Sequence, residues 1–291
     1  MSNRFVVPKG PGPGFTPATP PGGDDPEEFR RLVAKIEAER QFQGRFYKDK
    51  CLRRRLEVRM RARGEDSFAG YATLLDDDPA EYEALLDTLT INVTKFFRDA
   101  GVWAAVREKV APHLFEGPTG ERSIWSAGCA SGEEPYTLSI LLREWAESND
   151  RASEMGRFRI LGTDIDRRSL ETARRAEYSE LSLSETPPEE RARWFTESLP
   201  YRLAPCIREP VEFARRDLIC DEPEREQSLI LCRNVIIYFD REIQEEIFMR
   251  FYDALVPGGF LVLGKVETLL GRARSLFRPV SSRERIFRKP E

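Results

Sequence analysis

The stretch Ser123-Ile124-Trp125-Ser126-Ala127-Gly128-Cys129-Ala130-Ser131-Gly132-Glu133-Glu134-Pro135 decides how this chain folds. A short run suited to a strand passes into small residues, then two acids, then a proline suited to a helix start. That order describes a strand, a tight loop and a helix over 135–147. The loop then sits at the C-terminal end of a strand, where doubly wound sheets bind their ligands. It is not GxGxxG, and glutamates stand where a phosphate would want a bare helix N-terminus. Negative charge there repels a pyrophosphate and attracts a cation. A sulfonium cofactor with an α-amino group fits this loop; NAD does not. Taken alone, the loop fits equally well a tight turn whose glutamates complement the next helix dipole.

Downstream the alternation continues. Strands are expected at 158–163, 211–214 and 229–232, with a helix at 168–176. Asp240 is placed to cap a helix with Ile243, Ile247, Phe248, Phe251 and Leu255 inward, broken by Pro257-Gly258-Gly259 ahead of a buried strand at 260–263. The final stretch, 277–288, reads as an antiparallel hairpin turning at Ser281 and Ser282. Strands alternating with helices imply βαβ units and a mainly parallel sheet, an α/β domain. Asp164 ends the second strand, where an acidic side chain accepts hydrogen bonds from the ribose hydroxyls of a nucleoside. It also fits a turn aspartate, with Asp166 capping the following helix. Arg233-Asn234 follow an apolar strand and would line the cleft, while Tyr238 and Phe239 fit core as readily as cleft.

Upstream the pattern differs. The first 23 residues hold six prolines and five glycines, and 1–24 is expected to be a disordered tail. Asp25, Pro26 and Glu28 form a helix start, followed by Phe29, Leu32, Val33 and Ile36 on one face. A second helix is expected over 48–63 with Cys51, Leu52, Leu56 and Met60 inward. A third begins at Asp78-Pro79 with Tyr82, Leu85, Leu86 and Leu89. Residues 25–100 therefore read as a small helical domain ahead of a larger one at 101–291. Within 45–63, nine basic residues stand against two acidic ones in a chain of net charge −4. A charge run is usually a solvated face; this asymmetry also suits docking on an acidic surface, protein or nucleic acid.

The composition excludes several classes. No run of 18 apolar residues exists to span a membrane, and the start lacks the pattern of a secretory signal. Five cysteines without a CxxC pair argue against disulfides and zinc, so the chain is expected to be cytoplasmic with reduced thiols. His113 is the only histidine, which leaves no Ser-His-Asp triad and no His-based metal site.

Four blocks together carry a resemblance. Asn92-Val93-Thr94-Lys95-Phe96-Phe97-Arg98-Asp99, Trp125 to Tyr136, Thr163-Asp164-Ile165-Asp166 and Cys232-Arg233-Asn234-Val235-Ile236-Ile237-Tyr238-Phe239 resemble, in order and spacing, the signature blocks of the CheR-type chemoreceptor glutamate O-methyltransferases. The resemblance spans about 29–288. It implies a helical domain followed by a Rossmann-like domain that binds S-adenosylmethionine, with a small β-subdomain near 194–213, and formation of glutamyl methyl esters with S-adenosylhomocysteine as product. It further implies that Asn92, Thr94 and Arg98 reach cofactor and carboxylate, that Glu134, with or without Glu133, meets the methionine end, and that Asp164 holds the ribose. Asp217, Leu218, Arg233 and Asn234 would frame the adenine and the rest of the pocket, with Arg98 and Tyr238 beside the transferring methyl. At Asp217 the family often has Asn, and Gly264-Lys265-Val266-Glu267 departs from the commoner Gly-His-Ser-Glu.

The implied chemistry suits the composition. A glutamate side chain, with a pKa near ~4.3, is already a nucleophile at neutral pH. Methyl transfer to it needs alignment and desolvation, without base or metal. The expected partners are glutamate-rich cytoplasmic chemoreceptor helices met by the basic helix 45–63, with nucleic acid disfavoured. The short connection Ala204 to Pro210 offers little strand edge, so no tethering by a receptor C-terminal peptide is expected. The competing readings are a methyltransferase for RNA or a small molecule, and a non-catalytic S-adenosylmethionine-binding regulator.

Overall fold

A computed structural model describes residues 25–40, 42–89, 94–116 and 120–291. The expected tail at 1–24 and the expected cofactor contact of Asn92 lie outside the described residues. The chain divides into two units. The first ends at Thr88, and the second comprises Arg45–Cys51 and Leu89–Glu291.

Helices α1 (Pro26–Arg40), α2 (Asp49–Arg63), α3 (Phe68–Asp77) and α4 (Pro79–Leu89) carry the chain through the first unit. Aspartate and serine start them. Asp25 Oδ1 accepts from the Glu27 amide, Ser67 Oγ from that of Gly70, and Asp78 Oδ1 from those of Ala80 and Glu81. Phe29, Leu32, Ile36, Leu52, Leu56, Met60, Tyr82, Leu85 and Leu89 are buried, whereas Val33, Cys51 and Leu86 are only half-buried.

The basic helix is not a uniform cationic face. Arg55 is buried, and Arg53 lies over the rings of Phe29 and Phe68 at 4.5 and 5.3 Å. Arg59 donates through Nε to Glu81 Oε1 (2.9 Å), which also accepts from the Tyr71 hydroxyl (2.6 Å). Arg63 pairs with Asp78 at 2.8 Å. Burial pushes the Glu81 carboxyl up, but Arg59, Tyr71 and Arg63 outweigh it and hold it below its ordinary value. Of the arginines beyond Cys51, Arg54 and Arg61 keep exposed positions on α2 without a role in that core.

In the second unit, α5 (Ala100–Lys109) and α6 (Ala111–Glu116) precede a seven-stranded sheet. Its strands are β1 (Arg122–Ala127), β2 (Phe158–Asp164), β5 (Val211–Arg215), β6 (Gln227–Cys232), β7 (Leu255–Leu263), β8 (Arg278–Ser281) and β9 (Ile286–Arg288), ordered β5-β2-β1-β6-β7-β9-β8. The first five positions are parallel and the β7-β9-β8 edge is antiparallel, as the hairpin expectation required. Helices α7 (Glu133–Ser148), α8 (Arg167–Arg175) and α11 (Arg241–Ala254) complete the crossovers. Alternate residues serve opposite faces. Ile124, Leu229, Leu231, Phe260 and Val262 join one core, and Trp125, Ile230, Cys232, Leu261 and Leu263 the other. Burial on both faces explains why these strands are continuously apolar. Each full-sized side chain so buried contributes about 1.5–3 kcal/mol.

A second, two-stranded sheet pairs β3 (Glu177–Tyr178) with β4 (Tyr201–Arg202); α9 (Pro188–Trp194) lies between them. The segment 194–213 thus supplies one strand of that sheet, the short helix α10 (Pro205–Arg208) and the start of β5.

Three boundaries depart from the sequence reading. Helix α11 ends at Ala254, before the expected breaker Pro257-Gly258-Gly259, which lies inside β7 instead of separating helix from strand. There the register shifts between the pairs Gln227–Leu255 and Leu229–Phe260. A Cβ on Gly259 would stand 2.9 Å from the Val256 carbonyl oxygen and 3.0 Å from that of Gln227, so only glycine fits the bulge. Asp240 occupies the N-cap of α11, yet its side chain makes no capping bond. Helix α7 starts two residues before Pro135, because Gly132, with φ +91°, makes the turn.

Candidate active site

The C-terminal ends of β1, β2, β6 and β7 gather one set of loops in the second unit. Gly128 has φ +78°, and a Cβ on it would stand 2.5 Å from Val235 Cγ2, so the loop after β1 passes directly against the loop after β6. The Asp164 carboxylate fixes the β1 loop from the next strand. Its Oδ2 accepts from the Ala130 amide (2.8 Å) and its Oδ1 from that of Asp166 (3.0 Å). Burial pushes the Asp164 carboxyl up against those two amides, and it remains above its ordinary value. Asp166 caps α8.

These loops enclose a cavity with three walls. Thr94, Lys95 and Arg98 form the first, Gly128, Cys129, Ala130 and Glu134 the second, and Arg233, Asn234, Val235 and Tyr238 the third. Glu134 and Arg233 are its buried charges. Glu134 Oε1 accepts from Ser126 Oγ (2.8 Å), and its Oε2 lies 3.5 Å from Arg233 Nη1. Arg233 Nη2 donates to Asp99 Oδ2 (2.9 Å) and to the Arg98 carbonyl (2.8 Å), which also accepts from Trp103 Nε1 (3.0 Å). The guanidinium lies over the Trp103 ring at 5.2 Å. Lys265 Nζ stands 3.3 Å from Asp99 Oδ1. Burial raises the Glu134 carboxyl more than Arg233, Ser126 and Arg98 lower it. Phe97, Asp99, Ala130 and Asn234, all non-glycine, adopt positive φ in these segments, the concentration of backbone strain that functional sites show.

Tyr238 and Phe239, which fitted core or cleft equally, divide between the two. Tyr238 lines the cavity and Phe239 is buried in the core. Residues 45–51 pin this turn. Lys48 donates through Nζ to the Ile237 carbonyl (2.7 Å) and through its amide to that of Tyr238 (3.0 Å), and Tyr47 bridges to Phe239.

Three expected site residues, Asp164, Asp217 and Leu218, do not line this cavity. Asp164 supports the β1 loop and is absent from the cavity wall. Asp217 Oδ1 accepts from the amides of Ile219 and Cys220, and Leu218 packs on the core. Conversely, Asp99 and Ser126, which the sequence blocks contained without a role, and Trp103, which lies outside every block, support the buried charges of the site. The cavity fits a cationic nucleoside cofactor. It offers a buried carboxylate, Glu134, in the first turn of α7, small residues for close approach, and a buried Asn234 Oδ1 with no partner among the described residues.

Glu133 turns away from the cavity wall. Its Oε2 accepts from Ser131 Oγ (2.7 Å), and its carbonyl accepts from Thr137 Oγ1, which accepts the Phe97 amide (3.1 Å). Burial pushes this carboxyl up to about 7. A raised carboxyl stabilises the fold fully below its unfolded pKa of ~4.3, and that contribution is lost as pH rises through about 7. Thermal scans from pH 4.5 to 8 are expected to show wild type losing stability relative to Glu133→Gln across that window. Parallel curves for the two proteins would remove Glu133 as the titrating group.

Among the described residues no helix is long and apolar enough to cross a membrane, and no cluster of three or more metal-ligating side chains occurs. Comparison with known proteins agrees with the architecture. Residues 27–90 match the CheR methyltransferase all-alpha domain and 92–286 the CheR methyltransferase SAM binding domain. The chain is 32% identical to a chemotaxis protein methyltransferase of Listeria monocytogenes over 78% of its own length and 84% of that protein's. It is 34% identical to one from Salmonella typhimurium, over 76% of each chain. A 104.1 kDa uncharacterised protein of Rhodobacter capsulatus is 35% identical over 83% of this chain, which spans only 25% of that larger protein. With a helical unit ahead of a Rossmann-like sheet, an acidic loop after β1 and both domain matches in order, the chain belongs to the CheR family of S-adenosylmethionine-dependent methyltransferases.

Proposed function

We propose that this protein methylates glutamate side chains of chemoreceptors, or of related coiled-coil signalling proteins, as glutamyl methyl esters. The observation that carries the reading is one cavity lined together by Arg98, Tyr238, Glu134 and Asn234. When bound, S-adenosylmethionine supplies an electrophilic methyl group on a sulfonium. The Glu134 carboxylate attracts the cationic methionine end, Asn234 and Thr94 orient the ligand, and Asp164, with Asp217 and Leu218 further out, serves the nucleoside. Arg98 presents its guanidinium fork to the incoming carboxylate and Tyr238 confines it beside the methyl. Transfer of that methyl to an already ionised glutamate would need only alignment and desolvation, with no base from this chain. The Listeria and Salmonella relatives are chemotaxis protein methyltransferases, which supports a role in chemotaxis. Incubation with methyl-labelled S-adenosylmethionine and receptor-containing membranes is expected to put base-labile label on the receptor. Label entering RNA or a small molecule instead would overturn the proposal.

Docking on an acidic receptor helix then falls to the outward residues of α2. Arg54 and Arg61 are exposed, whereas Arg55 and Arg59 are engaged within the first unit. Reversing Arg54 and Arg61 to glutamate is expected to raise the KM for receptor roughly three- to ten-fold at low salt, leaving cofactor affinity unchanged. The difference should fade as the Debye length shortens from ~10 Å at 0.1 M to ~3 Å at 1 M salt. Unaltered receptor kinetics at low salt would mean that this is only a solvated face. Helix α10 occupies Pro205–Arg208, which supports recognition without a C-terminal tethering peptide.

A further inference from the structure

The turn after β7 carries a carboxylate that none of these roles uses. Glu267 is 3% exposed, and its two oxygens collect four backbone amides. Oε2 accepts from Asn234 (3.0 Å) and Gly264 (2.7 Å), and Oε1 from Val235 (2.9 Å) and Ile236 (2.8 Å). Three of those donors are consecutive residues of the loop after β6, the loop that brings Asn234, Val235 and Tyr238 to the cavity. Successive amides converging in this way form a nest for an anion. Here the anion is an internal side chain. The nest holds Asn234 at φ +62°, a left-handed conformation that asparagine tolerates better than most L residues and that the four amide hydrogen bonds fix here. Residue 264 must be small for the same reason, since a Cβ there would stand 2.8 Å from both the Asn234 nitrogen and Glu267 Oε2. Held in this conformation, Asn234 keeps its Oδ1 buried and unpartnered among the described residues.

We infer that Glu267 is a positioning residue, locking the loop after β6 so that Asn234 Oδ1 accepts from an N–H donor of the bound cofactor and Tyr238 stands beside the reacting atoms. This rests on the reading of the cavity as the S-adenosylmethionine site. A glutamine cannot substitute, although its shape is nearly the same. It offers one acceptor oxygen instead of two, and its NH₂ would face amides that are themselves donors. Two of the four bonds are lost, and the loop is released where it meets the ligand.

The test uses Glu267→Gln in the full chain. Hydrogen exchange on the ligand-free protein should show the amides of 234–236 and 264 exchanging at least roughly ten-fold faster, with those of β1 and β2 unchanged. Calorimetry with S-adenosylhomocysteine should show Kd raised roughly 10- to 100-fold. On an Asn234→Ala background, Glu267→Gln should weaken binding far less, because the group it positions is gone. Wild-type protection at 234–236, or released amides with unchanged S-adenosylhomocysteine affinity, would overturn the inference. So would loosening spread evenly over the whole sheet, the signature of a merely structural carboxylate. Should Glu267→Gln fail to fold, Gly264→Ala, whose Cβ would wedge between the Asn234 amide and Glu267 Oε2, displaces the same loop and is read by the same two measurements. If wild type itself binds no S-adenosylhomocysteine, the cofactor reading falls, and hydrogen exchange still decides whether Glu267 clamps the loop.

Discussion

Arg233→Ala is expected to destabilise the larger unit by about 3–5 kcal/mol at neutral pH, the range for breaking a buried ion pair by removing one partner. The Arg233 side chain is 3% exposed and stands between two carboxylates, Glu134 at 3.5 Å and Asp99 at 2.9 Å. Its loss also removes one of the two donors to the Arg98 carbonyl and the cation over Trp103. For a unit of this size the shift in Tm is roughly 6–20 °C. The sign with pH follows from Glu134. Its carboxyl already lies above its ordinary value through burial, and without the guanidinium it rises further. Below that raised pKa it is protonated, and the unpaired charge disappears. The destabilisation should therefore be largest at neutral and alkaline pH and shrink as pH falls. Adding Glu134→Gln to Arg233→Ala should recover part of the loss, since the two share one interaction. Denaturation scans on the four proteins decide it. Additive effects, or a change in Tm below about 2 °C, would mean that this network does not hold the site together.

What made such a network invisible beforehand is sequence distance. Arg233 stands 134 residues from Asp99, and Glu267 meets three amides over thirty residues upstream of it. No local pattern records either pairing. The sheet was far easier to read, because strands such as Ile230 to Cys232 and Phe260 to Leu263 are buried on both faces and are apolar without interruption. The first strand–loop–helix unit was equally legible, since its glycines and acids are tied to one local geometry. Failures came where the physics is not local. Pro257 and the two glycines after it look like a helix breaker ahead of a strand, yet β7 carries them as a bulge against β6. The basic run of α2 could be counted but not oriented. A sequence cannot say that Arg59 turns toward Glu81 or that Arg53 covers two phenylalanine rings. Helix α3, capped by Ser67, has no counterpart among the expected helices, the third of which begins only at Asp78-Pro79.

Asp164→Ala is expected to weaken S-adenosylhomocysteine binding by roughly 1.5–3 kcal/mol, about 10- to 150-fold in Kd. Two contributions stand behind that figure and must be separated. One is direct, since each carboxylate oxygen keeps a lone pair beyond the amide it already accepts, enough to take both ribose hydroxyls. The other is indirect, because without Asp164 the Ala130 amide loses its partner and the loop after β1 is free to shift. A thermodynamic cycle distinguishes them. In wild type, an S-adenosylhomocysteine analogue lacking one ribose hydroxyl should bind more weakly by about 1–1.5 kcal/mol, the worth of one hydrogen bond to a charged group. In Asp164→Ala the same deletion should make almost no difference, because the acceptor is already gone. If the deoxy analogue loses equal affinity in both proteins, Asp164 acts only by holding the loop, and the ribose is recognised by another group. Unchanged affinity of the intact ligand in a folded Asp164→Ala protein would exclude both contributions together.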